Sequence, residues 1–202
     1  METDHEAVPL NLADIDASTW RELETAASSP QSAFRFLNLC SVDAEQRPQA
    51  RMVVLRRADG SSRVLEFHTD TRSPKWRELS ANPRVTVLGF CAQTRLQFRL
   101  RGTVELHASG SDQANAAWDK LSTWTRTTYA GGPPGDDRAF DAIDEAAPSK
   151  AVDEAKGKPH FGLLIFRART LDWFELCRQD NRRALFTYDA TGALAACRWV
   201  NP

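Results

Sequence analysis

Three polar segments carry the side chains best suited to chemistry: Arg51-Met-Val-Val-Leu-Arg56, Thr69-Asp-Thr-Arg-Ser-Pro-Lys75 and Gln97-Phe-Arg-Leu-Arg101. Each sets cationic or hydrogen-bonding groups beside a short apolar run of β character. An arginine fork grips two oxygens of a phosphate at once, whereas a lysine offers a point charge. Thr69 and Ser73 add hydroxyls. The Gln97 amide can donate and accept together, as the carbonyl and imide rim of a planar ring requires. The set suits an anionic, planar, hydrogen-bonding ligand, and a phosphorylated ring cofactor is the natural candidate. Plainer roles compete: surface charges on an edge strand for Arg51 and Arg56, turn and cap chemistry for Thr69 and Ser73, a solvent-facing amide for Gln97. Positions 51 and 56 differ by an odd number, so simple alternation turns them to opposite faces. A β-bulge or a strand end between them would reconcile the two.

The elements that must position these groups follow from periodicity and turn chemistry. Ser18 or Thr19 is a candidate cap for a first helix through Trp20, Leu23 and Ala27, ended by Ser28-Ser-Pro30. Residues 1–17 read as an extended acidic lead-in. Residues 34–42 and 50–57 read as strands with a turn over Asp43 to Gln46. Asp59-Gly60 marks a hairpin into a return strand, Val64 to His68. Ser73-Pro74 starts a helix through Trp76 and Leu79, which Asn82-Pro83 stops. Residues 84–91 and 95–107 follow as long strands; in the second, Leu96, Phe98 and Leu100 alternate with Gln97, Arg99 and Arg101. Ala114, Ala117, Trp118, Leu121 and Trp124 give 110–129 a helical period. Gly131 to Gly135 is a loop, and 131–158 reads as a loop and helical insertion. Strands return at 161–167, 171–177, 182–188 and 194–199, the last pair joined by a turn at Asp189-Ala-Thr-Gly192. Short strands with close turns fit a mainly β fold with peripheral helices, a barrel or sandwich formed by 18–202 as one domain. The expected core is Phe34, Phe36, Leu37, Val53, Leu55, Phe67, Val85, Val87, Phe98, Leu100, Leu163 and Ile165. Trp20, Trp76 and Trp118 fall at helical packing positions.

Composition excludes several classes. The 202 residues are 42% apolar and carry a net charge of only -1, so bulk charge makes no case for nucleic acid or a membrane surface. No apolar stretch approaches a membrane span, and the acidic opening lacks the apolar run of a secretion signal. Cys40, Cys91, Cys177 and Cys197 form no Cys-x-x-Cys pair, which argues for reduced thiols in a cytoplasmic protein and against a metal site. No Gly-x-Gly-x-x-Gly or P-loop is present. His107 and His160 have no matching partners and no assigned role.

Taken in order, the arginine, hydroxyl and glutamine segments resemble the pyridoxamine 5'-phosphate oxidase superfamily, the FMN-binding split β-barrels. The likeness runs from about Trp20 to Pro202, is most specific over Pro48 to Glu105, and is closest to the branch of oxidase-like FMN-binding proteins of cyanobacteria and proteobacteria. It implies that Arg51 opens the first flavin strand and holds the FMN phosphate, with Met52, Val53 and Val54 passing the ring. Arg56 stands where the oxidases have lysine. His68 and Thr69 match a Tyr-Thr pair near the ring and ribityl chain. Ser73, Pro74 and Lys75 match Ser-Arg-Lys, with one arginine lost to proline. Gln97 matches the glutamine at the ring edge, and Thr123 and Trp124 align with a Gln-Ser pair. Trp173 and Arg183 match a late tryptophan and arginine that complete the site. Trp199 to Pro202 resembles the family's terminus.

The resemblance also implies a homodimer with FMN sites made by two subunits. It departs where the oxidases grip their substrate: an Arg-x-His element reads Gln179-Asp180-Asn181 here, and the phosphate clamp near Arg126 and Tyr129 is only partly recognisable. A carboxylate at Asp180 would repel a phosphate. The expectation is therefore an FMN-dependent oxidoreductase of unknown substrate. Three alternatives stay open: pyridoxamine or pyridoxine 5'-phosphate oxidase itself, a flavin- or haem-binding module without catalysis, and a structural dimer that has lost its cofactor. No histidine or cysteine stands out as a haem ligand.

Overall fold

The computed structural model describes residues 11–137, 154–178 and 180–202. Alternation of apolar and polar residues gives eight strands among them: β1 (Phe36–Val42), β2 (Pro48–Asp59), β3 (Val64–Asp70), β4 (Arg84–Cys91), β5 (Leu96–Ala108), β6 (Phe161–Glu175), β7 (Arg182–Tyr188) and β8 (Leu194–Val200). The sheet order is β3-β2-β1-β4-β5-β6-β7-β8, and an added β3–β6 pairing closes the first six strands into a barrel. Every pairing is antiparallel. Closure removes the exposed edges that an open sheet would present.

The 15-residue β6 is the hinge of this topology. Its first half pairs with β3 from Phe161 to Arg167, and its second half pairs with β7 from Thr170 to Glu175. The expected separate strands 161–167 and 171–177 are thus one strand that serves both neighbours. The register against β5 shifts at Gly102. A Cβ there would lie 2.0 Å from the Arg167 carbonyl oxygen, so this close approach requires glycine.

Four helices pack outside: α1 (Leu12–Ser28), α2 (Pro74–Ala81), α3 (Asp112–Asp119) and α4 (Thr123–Thr127). α1 starts earlier than expected. The Asn11 side chain caps it by accepting from the Ala13 N–H, while Ser18 and Thr19 donate their hydroxyls back to the Ile15 carbonyl. The single helix expected over 110–129 is broken, because the Ser122 hydroxyl accepts from the Thr125 N–H and starts a new helix. Of the 1–17 lead-in, residues 1–10 lie outside the described residues. So do residues 138–153 of the 131–158 insertion and Gln179 of the substrate-clamp departure.

The barrel interior is filled by Leu23, Leu37, Leu39, Leu55, Phe67, Val87, Phe98, Leu100, Leu164, Phe166 and their neighbours. A second cluster, Ala114, Trp118, Tyr129, Phe161 and Leu163, seals α3 and α4 against the outer face of β6, with Ile165 half-buried beside it. Of the expected core, only Phe36 is misplaced. It lies out of phase with Leu37 and Leu39 and is 53% exposed. A buried polar knot ties α1 to the strand ends. Arg63 donates to Asp16 at 2.6 Å, the Tyr188 hydroxyl donates to the same carboxylate, and the Trp20 indole donates to the Tyr188 oxygen at 3.0 Å.

Candidate functional site

The residues singled out above separate into groups on the two faces of the barrel wall. Along β2, Arg51 shares the inward phase of Val53 and Leu55, and it sits opposite Leu39 in register. Its guanidinium lies at the barrel end, donating to Glu78 at 2.7 Å, to the Ser41 hydroxyl and to the Leu39 carbonyl. The Ser41 hydroxyl also donates to Glu78. Beside it, Lys75 donates to Thr69 Oγ1 at 3.1 Å, and Thr69 and Ser73 bring their hydroxyl oxygens within 3.4 Å of each other. Thr69 and Ser73 are buried. Burial, and then the nearby Arg51 charge, lower the Lys75 pKa from its ordinary value, against the opposing pull of Asp70 and Glu78. This end of the barrel therefore gathers Arg51, Lys75, the Glu78 carboxylate and the hydroxyls of Ser41, Thr69 and Ser73 around the start of α2. Ser73 precedes Pro74 but makes no side-chain cap; its hydroxyl donates to the Asp70 carbonyl instead.

Arg56 does not join that group. A β-bulge does occur, between Leu55 and Arg57, but it turns Arg56 and Arg57 both outward rather than bringing Arg56 to the Arg51 side. Arg56 and His68 line an outer cleft of ≈ 540 Å³ with Arg35, Gln113, Lys120, Leu121, Leu163 and Ile165. Two buried polar atoms in this cleft, Arg56 Nε and His68 Nδ1, have no hydrogen-bond partner among the described residues. Burial first, then the Arg56 and Arg35 charges, push the His68 pKa down to about 3. The imidazole is therefore neutral at physiological pH, with its ring edge-on to Phe161 at 5.0 Å. Arg35 is held by the Ala27 and Leu55 carbonyls, and Arg57 pairs with Glu66 at 2.6 Å. Arg56 and Lys120 are the cleft's other cations, and among the described residues Glu66 is the one carboxylate in its lining. An unpartnered donor in a half-apolar cleft is the signature of a place for an anion with an apolar body.

The third group lies on the outer face of β5, β6 and β7. Gln97 sits opposite Phe90 on one side and Phe174 on the other. Arg183 holds Asp172 through two bonds of 2.9 Å, and Arg99 grips the same carboxylate. These two guanidinium partners lower the Asp172 pKa against its burial. Trp173 points the other way, into the core beside Phe98, and its ring meets Trp199 edge-on. Met52 is 56% exposed on the outer face of β2, Val54 is half-buried there, and Val53 lies in the core.

Arg126 and Tyr129 serve the packing of α3 and α4. Arg126 donates to the Trp118 and Asp119 carbonyls and lies 5.6 Å over the Trp118 ring. Tyr129 is buried, its pKa pushed up to about 12 chiefly by burial. Neither lines the cleft. The residues missed from sequence are Ser41, Glu78, Arg35, Gln113, Lys120 and Asp172. Gln113, Ala116, Ala117 and Lys120 recur at helical spacing, a signal that was legible. Asp172 faces Arg99 only through strand register, which no local pattern reveals.

Residues 17–108 match the sequence model of the pyridoxamine 5'-phosphate oxidase FMN-binding domain. The chain is 28% identical over 197 residues to pyridoxine/pyridoxamine 5'-phosphate oxidase 2 of Arabidopsis thaliana, covering 91% of this chain and 96% of that protein. Among solved structures, a pyridoxamine 5'-phosphate oxidase-related FMN-binding protein of Nostoc punctiforme superposes with a TM-score of 0.75 at 26% identity, over 96% of this chain and all of that one. The fold is the split β-barrel of pyridoxamine 5'-phosphate oxidase-like proteins. PhzG of Burkholderia lata, solved with tetrahydrophenazine-1-carboxylic acid, shares that fold at 15% identity and a TM-score of 0.72, over 100% of this chain and 98% of that one. The matched domain, the Arabidopsis thaliana relative and the Nostoc punctiforme structure support the superfamily. The matched span includes Arg51, Thr69, Ser73, Lys75 and Gln97. The cationic and hydroxyl donors at the barrel end are chemically suited to a phosphate monoester such as that of FMN. No helix among the described residues is long and apolar enough to cross a membrane.

Proposed function

We propose that this chain is an FMN-binding flavoprotein that acts as an oxidoreductase on a small anionic substrate. One observation carries the reading: Arg51, Thr69, Ser73 and Lys75 converge at the barrel end, within the span that matches an FMN-binding domain. Arg51 and Lys75 hold the phosphate of the cofactor, with the Thr69 hydroxyl beside them and the Ser73 hydroxyl bracing the turn through the Asp70 carbonyl. Gln97 reads the ring rim. When bound, the flavin supplies hydride or electron transfer. The protein's own contribution is to fix the phosphate, exclude water and seat the substrate. The outer cleft is the natural substrate seat. Arg56 and Lys120 neutralise an anionic group, neutral His68 offers a hydrogen bond without adding charge, and Leu121, Leu163 and Ile165 pack the apolar body.

The working unit in this reading is a homodimer. Phe36, Met52 and Phe90 expose half or more of their surface on one outer face spanning β2, β1 and β4, where monomers rarely leave large apolar side chains side by side. A second copy covers that face and brings Arg183 toward the partner's flavin, while Trp173 stays packed in its own core. The four unpaired cysteines suit a reducing cytoplasm. The branch of oxidase-like FMN-binding proteins fits better than the pyridoxamine phosphate oxidases proper. The Nostoc punctiforme protein is similar over its whole length, and Asp180 and Asn181 stand where the oxidases place their substrate-gripping element. Pyridoxamine or pyridoxine 5'-phosphate oxidation is the second reading, favoured by the full-length likeness to the Arabidopsis thaliana oxidase.

The test is a fluorescence-quenching titration of the purified protein with FMN and with riboflavin. FMN should bind far more tightly, and Arg51→Ala should weaken FMN by roughly 10- to 100-fold, as expected for a lost charged hydrogen bond, while leaving riboflavin unchanged. Equal affinity for the two flavins, or no response to Arg51→Ala, would refute the phosphate assignment. Turnover of pyridoxamine 5'-phosphate with peroxide release would select the second reading.

A further inference from the structure

The phosphate seat already contains an anion of the protein's own. Glu78 lies on α2 three residues after Lys75, on the same helix face. Its carboxylate takes a 2.7 Å ion pair from Arg51 and a hydrogen bond from Ser41. The pair is largely shielded from water, with side-chain exposures of 20% for Arg51 and 10% for Glu78. The other nearby carboxylate, Asp70, is committed elsewhere: Arg72 grips it at 3.0 and 2.7 Å. The local charge is thus two cations against one carboxylate. Pro74, between Ser73 and Lys75, adds no charge.

We propose that Glu78 is an internal counter-anion that competes with the cofactor phosphate for Arg51 and sets how tightly this chain holds FMN. This inference rests on the reading of the barrel-end cluster as the phosphate seat. Without ligand, Glu78 and Ser41 satisfy the guanidinium, so Arg51 stays ordered at a site where an unpaired buried charge would be costly. On binding, a dianionic phosphate must share Arg51 with Glu78 or displace it, and the carboxylate repels the phosphate in either case. Burial keeps this repulsion from being screened away by salt. Glu78 therefore lowers affinity for phosphorylated flavins selectively. An uncharged ribityl chain does not meet it.

The experiment compares FMN and riboflavin affinities of the full chain and of Glu78→Gln, with thermal melts to confirm folding. The glutamine keeps an acceptor for Arg51 and Ser41 and removes only the charge. Glu78→Gln should bind FMN about tenfold more tightly and riboflavin unchanged. Glu78→Ala, favoured by helix propensity, should shift FMN in the same direction and serves if the glutamine variant does not fold. Unchanged or weaker FMN binding by these variants, with the preference for FMN over riboflavin intact, would overturn the competition and make Glu78 a support for Arg51. If neither the parent chain nor the variants prefer FMN over riboflavin, the phosphate seat itself is wrong and the inference falls with it.

Discussion

Acidification from pH 7 to pH 5 should destabilise this protein through His68, opposed near pH 5, among the described residues, only by Glu22, whose carboxyl pKa burial raises above its ordinary value. The imidazole is enclosed by β3, β2 and β6, faces the Arg56 and Arg35 charges, and has its pKa lowered from an ordinary 6.5 to about 3. An unfolded chain takes up a proton on this histidine near pH 6.5, whereas the folded chain resists until about pH 3. The unfolded state therefore binds more protons throughout that window, and stability falls as pH falls through it. Above 6.5 the effect vanishes. At pH 5 the linkage amounts to about 2 kcal/mol, since each unit between the two pKa values is worth about 1.4 kcal/mol. The lowered carboxylates do not overlap with this range. Asp59, brought down to about 2 chiefly by the Ser61 hydroxyl, loses its contribution only as pH falls below its unfolded value of 3.8. The assay is urea unfolding of the parent chain and of His68→Gln at pH 7, 6 and 5, followed by far-ultraviolet circular dichroism. The parent should lose about 2 kcal/mol more than the variant between the two extremes. Arg56→Met, which removes a neighbouring charge, should reduce the slope. Parallel pH profiles for the parent and His68→Gln, or a His68 proton titrating near 6.5 by NMR, would refute the reasoning.

Two further outcomes follow from the packing. Asp16→Ala leaves the Arg63 guanidinium, whose side chain is 13% exposed, without its carboxylate, and should cost about 3–5 kcal/mol in urea unfolding; a loss under 1 kcal/mol would show the knot to be dispensable. Met52→Glu combined with Phe90→Glu should convert a sedimenting dimer to a monomer without changing the melting temperature of the barrel by more than a few degrees, because both side chains are half exposed or more; a parent chain that sediments as a monomer at micromolar concentration would refute the covered face.

The barrel was legible wherever a strand has one wet face. In β5, Phe98 and Leu100 point inward and Arg99 and Arg101 outward, and that two-residue period is visible without coordinates. The β2–β3 hairpin forms where Asp59-Gly60 marks a turn, but the positive φ falls on Arg63 rather than Gly60, and the Asp59 carboxylate holds the turn by accepting from the Ser61 and Ser62 N–H groups. β6 was not legible as one strand, since it is buried on both faces over Phe161 to Leu164 and then changes neighbour midway. Alternation carries no signal in such a segment. The α3–α4 break escaped notice because the apolar period of Trp118, Leu121 and Trp124 runs straight through it. Only the Ser122 cap decides the matter, and Trp124 ends up 77% exposed. Arg51 and Lys75 could be named as a pair, but Glu78 could not, because it meets Arg51 across the barrel end rather than along the chain.

The same alternation explains why the site comes in two halves. β2 is one strand with cations on both faces: Arg51 inside the rim with Val53 and Leu55 behind it, Arg56 outside above the cleft. A one-residue slip of β2 would exchange the faces, sending Arg51 outward and Val54 into the core. Two features oppose that slip. The bulge between Leu55 and Arg57 can be placed only once along the β2–β3 ladder, and the Arg57–Glu66 pair locks the rungs beyond it, 2.6 Å apart on partners in direct register. The bulge thus does different work from the work expected of it. Instead of gathering two arginines on one side, it lets a single strand carry, in the proposed reading, a phosphate seat on one face and a substrate cleft on the other. A cofactor and a substrate, both negatively charged, can then be bound close together with a strand of β-sheet between their charges.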